Sequence, residues 1–190
     1  MVLAEAFARD DLFLATFPEG GRHLPALTDW MACGVRSADI DGLVETTPRL
    51  AAVSLWFPPG YRPRIGTYLR VSWLVGKMLR SATPTQIGSA LAWLSRWERR
   101  RVELVAEPHW YLEAVGVDPH RQRFGVGPAL VQHGLARADR DGVATYLETK
   151  TDDNVSLYRK LGFEVIHYTP PEDEPLAVPV WRMLRRPARP

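Results

Sequence analysis

With 190 residues, 46% hydrophobic and 24% charged, the chain suits one well-buried globular domain and is short for two. A formal net charge of +2 is too small to argue for nucleic acid, and no apolar run reaches the roughly eighteen residues of a membrane-spanning helix. The single cysteine, Cys33, excludes an intramolecular disulfide and favours a reducing cytoplasm, and the acidic start MVLAEAFARDD lacks the basic region of a signal peptide.

Leu3, Ala6 and Phe7 recur at helical spacing until Asp10 and Asp11 interrupt them. A second helix is expected over about 21–35, with Leu24, Leu27 and Met31 on its apolar face. GLVETT (42–47) and LAAVSLWF (50–57) predict an antiparallel hairpin turning at Pro48-Arg49, with Val53, Leu55 and Phe57 on one face. Two helices should follow, roughly 64–80 and 85–104, carrying Tyr68, Trp73, Trp93 and Trp97. Arg96, Arg99, Arg100 and Arg101 crowd the end of the second, where cations suit the helix dipole.

The last third begins with a strand, HWYLEAVGV (109–117), and a helix from Gly125 to about Arg140. A parallel strand at 143–149 follows. A short helix, capped by Asp152, Asp153 or Asn154, then runs through Leu161 and stops at Gly162. Strands at 163–168 and 178–185 complete a mixed sheet, so the expected class is α/β with hairpin partners.

QRFGVGPAL (122–130) places two glycines at the mouth of a helix, where bare amides and the helix dipole can meet an anion. A tight loop packed on the sheet is the plain alternative. A dinucleotide turn is a third, and Glu148 lies where its ribose-binding acid would fall. It fails because Leu130 stands at the third glycine and seven residues separate Val117 from Gly125. The segment Leu112–Val117, Pro119 and Gln122-x-x-Gly125-x-Gly127, followed by NVSLYRKLGF (154–163), resembles the two acetyl-CoA signatures of the GNAT acyltransferase superfamily. WYLEAVGV, LET (147–149) and the closing strand with Trp181 and Met183 look like its puromycin N-acetyltransferase branch.

The resemblance implies a single GNAT domain over 1–190. Residues 1–60 would form N-terminal helices and a hairpin, without the family's usual first edge strand. Residues 61–107 would be a helical insertion between the family's third and fourth strands, walling the acceptor site, and 108–185 the acetyl-CoA-binding core. It further implies that Gln122, Arg123, Phe124, Gly125, Val126, Gly127 and Pro128 hold the pyrophosphate, although Pro128 lacks one amide. Val115, Gly116 and Val117 would offer main chain to the pantetheine arm and thioester, where their strand splays from 143–149. Tyr158 would be the general acid toward the thiolate, and Asn154 would cap its helix or bond the cofactor arm.

For the general base, Glu148 at the end of a parallel strand is favoured slightly over Glu113, with a water chain as a third option. Glu113 is expected to share a face with Val115 and Val117. The histidines lack ligand spacing, so no metal is expected. The expected activity is transfer of the acetyl group of acetyl-CoA to a small-molecule primary amine, with no nucleic acid or membrane partner and a homodimer left open. The alternatives are a protein or peptide N-acetyltransferase and an idle acyl-CoA-binding module.

Overall fold

The computed structural model describes residues 2–18, 20–62 and 65–188, with the side chains of 65–71 left undescribed, so Tyr68 lies outside the described side chains. Its helices are α1 (Val2–Ala6), α2 (Asp11–Thr16), α3 (His23–Asp41), α4 (Ile65–Met78), α5 (Pro84–Leu104), α6 (Val126–Arg140) and α7 (Asp152–Lys160). Its strands are β1 (Leu43–Thr46), β2 (Ala52–Phe57), β3 (His109–Val117), β4 (Ala144–Thr149), β5 (Glu164–Thr169) and β6 (Val180–Arg185). They form one mixed sheet in the order β1-β2-β3-β4-β6-β5, with β3 and β4 parallel and every other pair antiparallel.

The sheet is sandwiched. On one face the core contains Leu27, Leu55, Phe57, Trp93 and Tyr146, supplied by α1 to α5 and the strands. On the other, Trp56, Leu112, Val131, Leu135, Leu147 and Phe163 pack with α6 and α7. Val53, Leu55 and Phe57 do share a face, but the intervening Trp56 is fully buried too, because α6 covers the second side of β2. Each such large apolar side chain contributes roughly 1.5–3 kcal/mol on burial.

Three local expectations are corrected. Asp10 opens a helix: its carboxylate accepts from Leu12 N at 3.1 Å and caps α2. The second predicted helix continues to Asp41, because Ala38 is wholly buried and Arg36 and Asp39 fall on the outer side. Thr151, one residue ahead of the three expected caps, caps α7 by accepting from Asn154 N at 3.3 Å. Asn154 is thus inside the first turn and does not cap it.

α4 and α5 occupy the segment between β2 and β3 and pack on the first face. α5 begins with a capping box, in which Thr83 Oγ1 accepts from Gln86 N and Gln86 Oε1 from Thr83 N, with Pro84 in the first turn. Trp30, Trp93 and Trp97 stack in series, with centroids 5.6 and 5.1 Å apart, and join α5 to α3. Trp73 on α4 faces outward, 64% exposed. No helix among the described residues is long and apolar enough to cross a membrane.

Candidate active site

The parallel pair β3 and β4 is joined only from His109↔Ala144 to Leu112↔Leu147. Beyond Leu112 the two strands part, while β3 stays paired to β2 as far as Val117↔Ala52. Asp118 N donates to Ala51 O, at 2.9 Å on the β2 side. Antiparallel alternation therefore turns the main-chain groups of Val117 and Val115 the other way, toward the side β4 has left. The Val117 carbonyl accepts from Gln122 Nε2 at 3.2 Å. The β4 ladder offers nothing to Val115 N–H and C=O or to Val117 N–H. A widening slot lined by strand backbone suits an extended chain carrying amides of its own.

A β-bulge sits at the start of this opening. Leu55 faces Ala114 and Trp56 faces Leu112, so Glu113 is the extra residue on β3. The bulge breaks strict alternation and overturns one sequence-based placement. Val115 packs into the α6–α7 core and Val117 lies against Gly127, whereas Glu113 looks to the opposite face, toward α3.

The glycine loop leads from β3 into α6. Gly125 caps the helix at φ 76°, with open space where a side chain would sit, and Arg123 before it is also left-handed at φ 67°. Gly127 has a structural reason of its own: a Cβ there would meet Val117 Cγ2 at 3.0 Å. Val126, Gly127 and Pro128 form the first turn of α6, so the amides of Val126 and Gly127 are uncommitted helix-start donors and Pro128 supplies none. Arg121 and Arg123 are exposed beside them, as is Phe124, at 78%. Loop shape, open space and dipole all fit an anionic phosphate group.

Tyr158 lies on the same face as this loop. Its ring stands edge-on to Phe163, with centroids 5.6 Å apart, in the cluster that also includes Val115. Burial pushes its phenol up to about 12, so it stays protonated and able to donate. Asn154, one turn earlier on α7, is exposed.

On the opposite face a partly enclosed cavity of about 330 Å³ opens beneath the parted strands. α3, α4 and α5 wall it, Phe57 and Tyr61 close one side, and Tyr111, Glu113 and Glu148 form its floor on the sheet. Trp97 lines it, while Trp93 and Trp73 do not. Both carboxylates titrate unusually. Burial first, and then the charge of Glu148, push Glu113 up to about 7. Burial also lifts Glu148 to about 7, against hydrogen bonds from Tyr146 and Tyr111 and the charges of Arg182 and Arg101. Glu148 Oε1 accepts from Tyr146 Oη at 2.8 Å, whereas Glu113 Oε2 is shut off from solvent without a hydrogen-bond partner.

The supporting cations did not stand out in sequence. Arg101 is 3% exposed and makes a multidentate pair with Glu98, with contacts of 2.6, 2.7 and 3.1 Å. Its Nη1 donates to His109 Nε2 at 2.8 Å, and His109 Nδ1 faces the Glu107 carbonyl, which fixes a neutral tautomer. Burial and Arg101 both hold His109 below its usual range, despite that carbonyl. The available signal was position: Trp93, Trp97 and Arg101 follow each other four apart, so Arg101 continues a buried stripe. Arg182, opposite Glu148 on β6, is 1% exposed and bonded to Thr169 and Glu174. Among the described residues, no group of three His, Cys, Asp or Glu is arranged to hold a metal.

Comparison with known proteins fits this arrangement. The model of the acetyltransferase (GNAT) family matches residues 71–163. A Corynebacterium glutamicum structure, described as a histone acetyltransferase and related acetyltransferase, superposes with a TM-score of 0.64 at 27% identity, covering 100% of this chain and 89% of its own. A Drosophila melanogaster polyamine N-acetyltransferase gives 0.57 at 16% identity, over 97% of this chain and 91% of its own. An agmatine N-acetyltransferase gives 0.58 at 17%, over 97% and 90%. The fold is that of GNAT acyltransferases.

Proposed function

We propose that this GNAT-fold chain is an acetyl-CoA-dependent N-acetyltransferase that modifies a primary amine of a small molecule by direct transfer in a ternary complex. One observation carries the proposal. Where β3 and β4 part, a loop suited to an anion and a protonated phenol lie on one face, and a recessed cavity floored by two carboxylates lies on the other. That geometry lets a donor and an acceptor meet through the sheet.

In this mechanism the amides at the start of α6, with Arg121 and Arg123, hold the pyrophosphate. Val115 and Val117 main chain aligns the pantetheine arm, and bound acetyl-CoA supplies a thioester carbonyl. The acceptor arrives as an ammonium and gives a proton to the Glu113–Glu148 pair, whose affinity near pH 7 suits that exchange at neutral pH. The nitrogen lone pair then forms the C–N bond as the C–S bond breaks, Tyr158 Oη gives its proton to the departing sulfur, and the second proton on nitrogen passes to solvent to leave the neutral amide. Pair and phenol are reset through solvent. Glu148, fixed by Tyr146 and at the strand end, is the proton acceptor in this scheme.

A recessed cavity between the helices and the sheet supports a small molecule over a protein substrate, which would need an open groove. The relatives named for agmatine and polyamine acetylation, and the resemblance of the closing strand to the puromycin branch, support the same side. Tyr158 and the carboxylate pair argue against an idle binding module. A thiol-release assay with acetyl-CoA and a panel of antibiotics, polyamines, simple amines, amino acids and peptides tests it. Turnover with a small amine is expected. Turnover confined to peptides would favour the protein-modifying alternative, and tight acetyl-CoA binding with a flat baseline would favour the binding module.

A further inference from the structure

The cavity wall is lopsided in charge. Among the described residues, three acids line it: Glu98, Glu113 and Glu148. Glu98 is taken up by Arg101, so its charge is already matched. Glu148 holds the Tyr146 hydroxyl. Glu113 Oε2 has no such partner, although it is cut off from solvent and an unmatched acceptor there costs about 1–3 kcal/mol. It is the one floor oxygen that a donor from a ligand would relieve. The remaining charges on the wall are the cations Arg99 and Arg101.

Away from the floor the lining is mainly apolar and aromatic, with Ser37 and Ser95 as its neutral polar members. Trp30 and Trp97 stand on one side, and Phe57 and Tyr61, stacked at 4.1 Å, stand on another, with Met78 and Leu94 between helices. A volume of about 330 Å³ falls at the small end of the usual range for ligand sites, roughly 300–1,000 Å³. A ring-sized apolar body fits such walls. A second ammonium held away from the floor would meet only Glu98, already taken up by Arg101, and an unpaired buried charge is strongly unfavourable.

α3 lies over the floor at Gly34. Gly34 lines the cavity, and a Cβ there would lie 3.5 Å from Leu55 Cδ1 and 3.8 Å from Glu113 Oε2. Any longer side chain at 34 would extend over the carboxylate. We infer that the acceptor is a primary monoamine with an apolar, ring-sized body, its ammonium on Glu113 Oε2, and that Gly34 is the position that admits it. This rests on the acetyltransferase reading above and narrows its substrate class.

The test is thiol release from acetyl-CoA by the full chain with phenethylamine and tryptamine against agmatine and spermidine, for the wild type and for Gly34→Ala and Gly34→Leu. The monoamines should be favoured over agmatine by at least about 100-fold in kcat/KM. Gly34→Leu should raise KM for them at least about tenfold, Gly34→Ala by a smaller factor, with acetyl-CoA affinity unchanged by calorimetry. Equal or better turnover of agmatine or spermidine overturns the inference and leaves the acetyltransferase standing. So does a Gly34→Leu protein that binds acetyl-CoA and uses phenethylamine as the wild type does. Should Gly34→Leu fail to bind acetyl-CoA, Gly34→Ala decides, since its Cβ makes only ordinary contacts; an unchanged KM there counts against the inference. Silence from all four amines overturns the inference, and the wider panel above then decides the acetyltransferase reading by itself.

Discussion

Glu148→Gln separates catalysis from stability with opposite signs. Glu148 is lifted from the usual 4.5 to about 7, chiefly by burial, so the folded protein penalises its charged form. Below pH 4.5 the group is protonated whether folded or unfolded, and it contributes no difference. Between about 4.5 and 7 the folded state binds more protons than the unfolded one, so stability falls as pH rises. Over 2.5 units at 1.36 kcal/mol each, the loss is at most about 3 kcal/mol and is complete above pH 7. Glutamine keeps an oxygen for the Tyr146 hydroxyl and carries no charge, and it also relieves Glu113 of its like-charge neighbour. Relative to wild type, the variant should therefore gain about 3 kcal/mol between pH 4.5 and 8, read as a urea-midpoint gap that widens by about 1 M or more. Its turnover should fall by about 10²–10⁴ while acetyl-CoA affinity holds, and the rise of kcat/KM through about pH 7 should weaken. A midpoint gap that is the same at both pH values, or wild-type turnover, would refute the reasoning.

Tyr158→Phe keeps the edge-on packing against Phe163 and removes the phenol; kcat should drop by about 10²–10³ with the thermal midpoint held. Because the phenol is pushed up to about 12, the wild-type rate should show no alkaline fall from this group below pH 10, which a pH profile checks. Pro128→Ala adds an amide to the first turn of α6 and should tighten acetyl-CoA binding by about 2- to 10-fold by calorimetry; unchanged or weaker binding would count against the loop's role. Gly134→Ala would press a Cβ to 2.2 Å from Cζ2 of Trp56, which is fully buried and cannot yield, so urea unfolding should show a loss of about 1–3 kcal/mol.

The legible parts of the chain were those whose signals are local. Apolar alternation marked β2, and Gly125 and Gly162 marked a helix start and a helix end at positive φ. Asp10 misled because an aspartate that interrupts an apolar period reads as a breaker, although the same side chain can cap the next helix. The bulge at Glu113 was invisible for a different reason: a bulge is a mismatch between two strands, and nothing in WYLEAVGV alone shows that β2 is one residue short. For the candidate site, the loop glycines, Tyr158, Glu113 and Glu148 stood out by motif or strand position. Gly34, Tyr111, Tyr146 and Arg101 did not, since each matters only through a residue far away in the chain. Arg101 is the instructive case, because arginines near a helix end suit the dipole and one buried among them gives no compositional sign.

The two helices between β2 and β3 couple two properties that could have been set independently. α4 and α5 close the space beneath the parted strands, and closing it withdraws Glu113 and Glu148 from water. Burial is the largest cause of the lift in both carboxylates, and for Glu113 the charge of Glu148 adds to it. An open cleft at the same strand ends would leave both groups near the ordinary carboxylate range, charged but too weakly basic to take a proton from an ammonium efficiently at neutral pH. Arg101 and Arg182 then keep the lift from going further, because a carboxyl protonated at every physiological pH could accept nothing. The walls that would select an apolar acceptor are thus the walls that make the floor basic. Any substitution on α5 that lets water in, at Trp97 or Leu94, should alter acceptor preference and the pH dependence of turnover together.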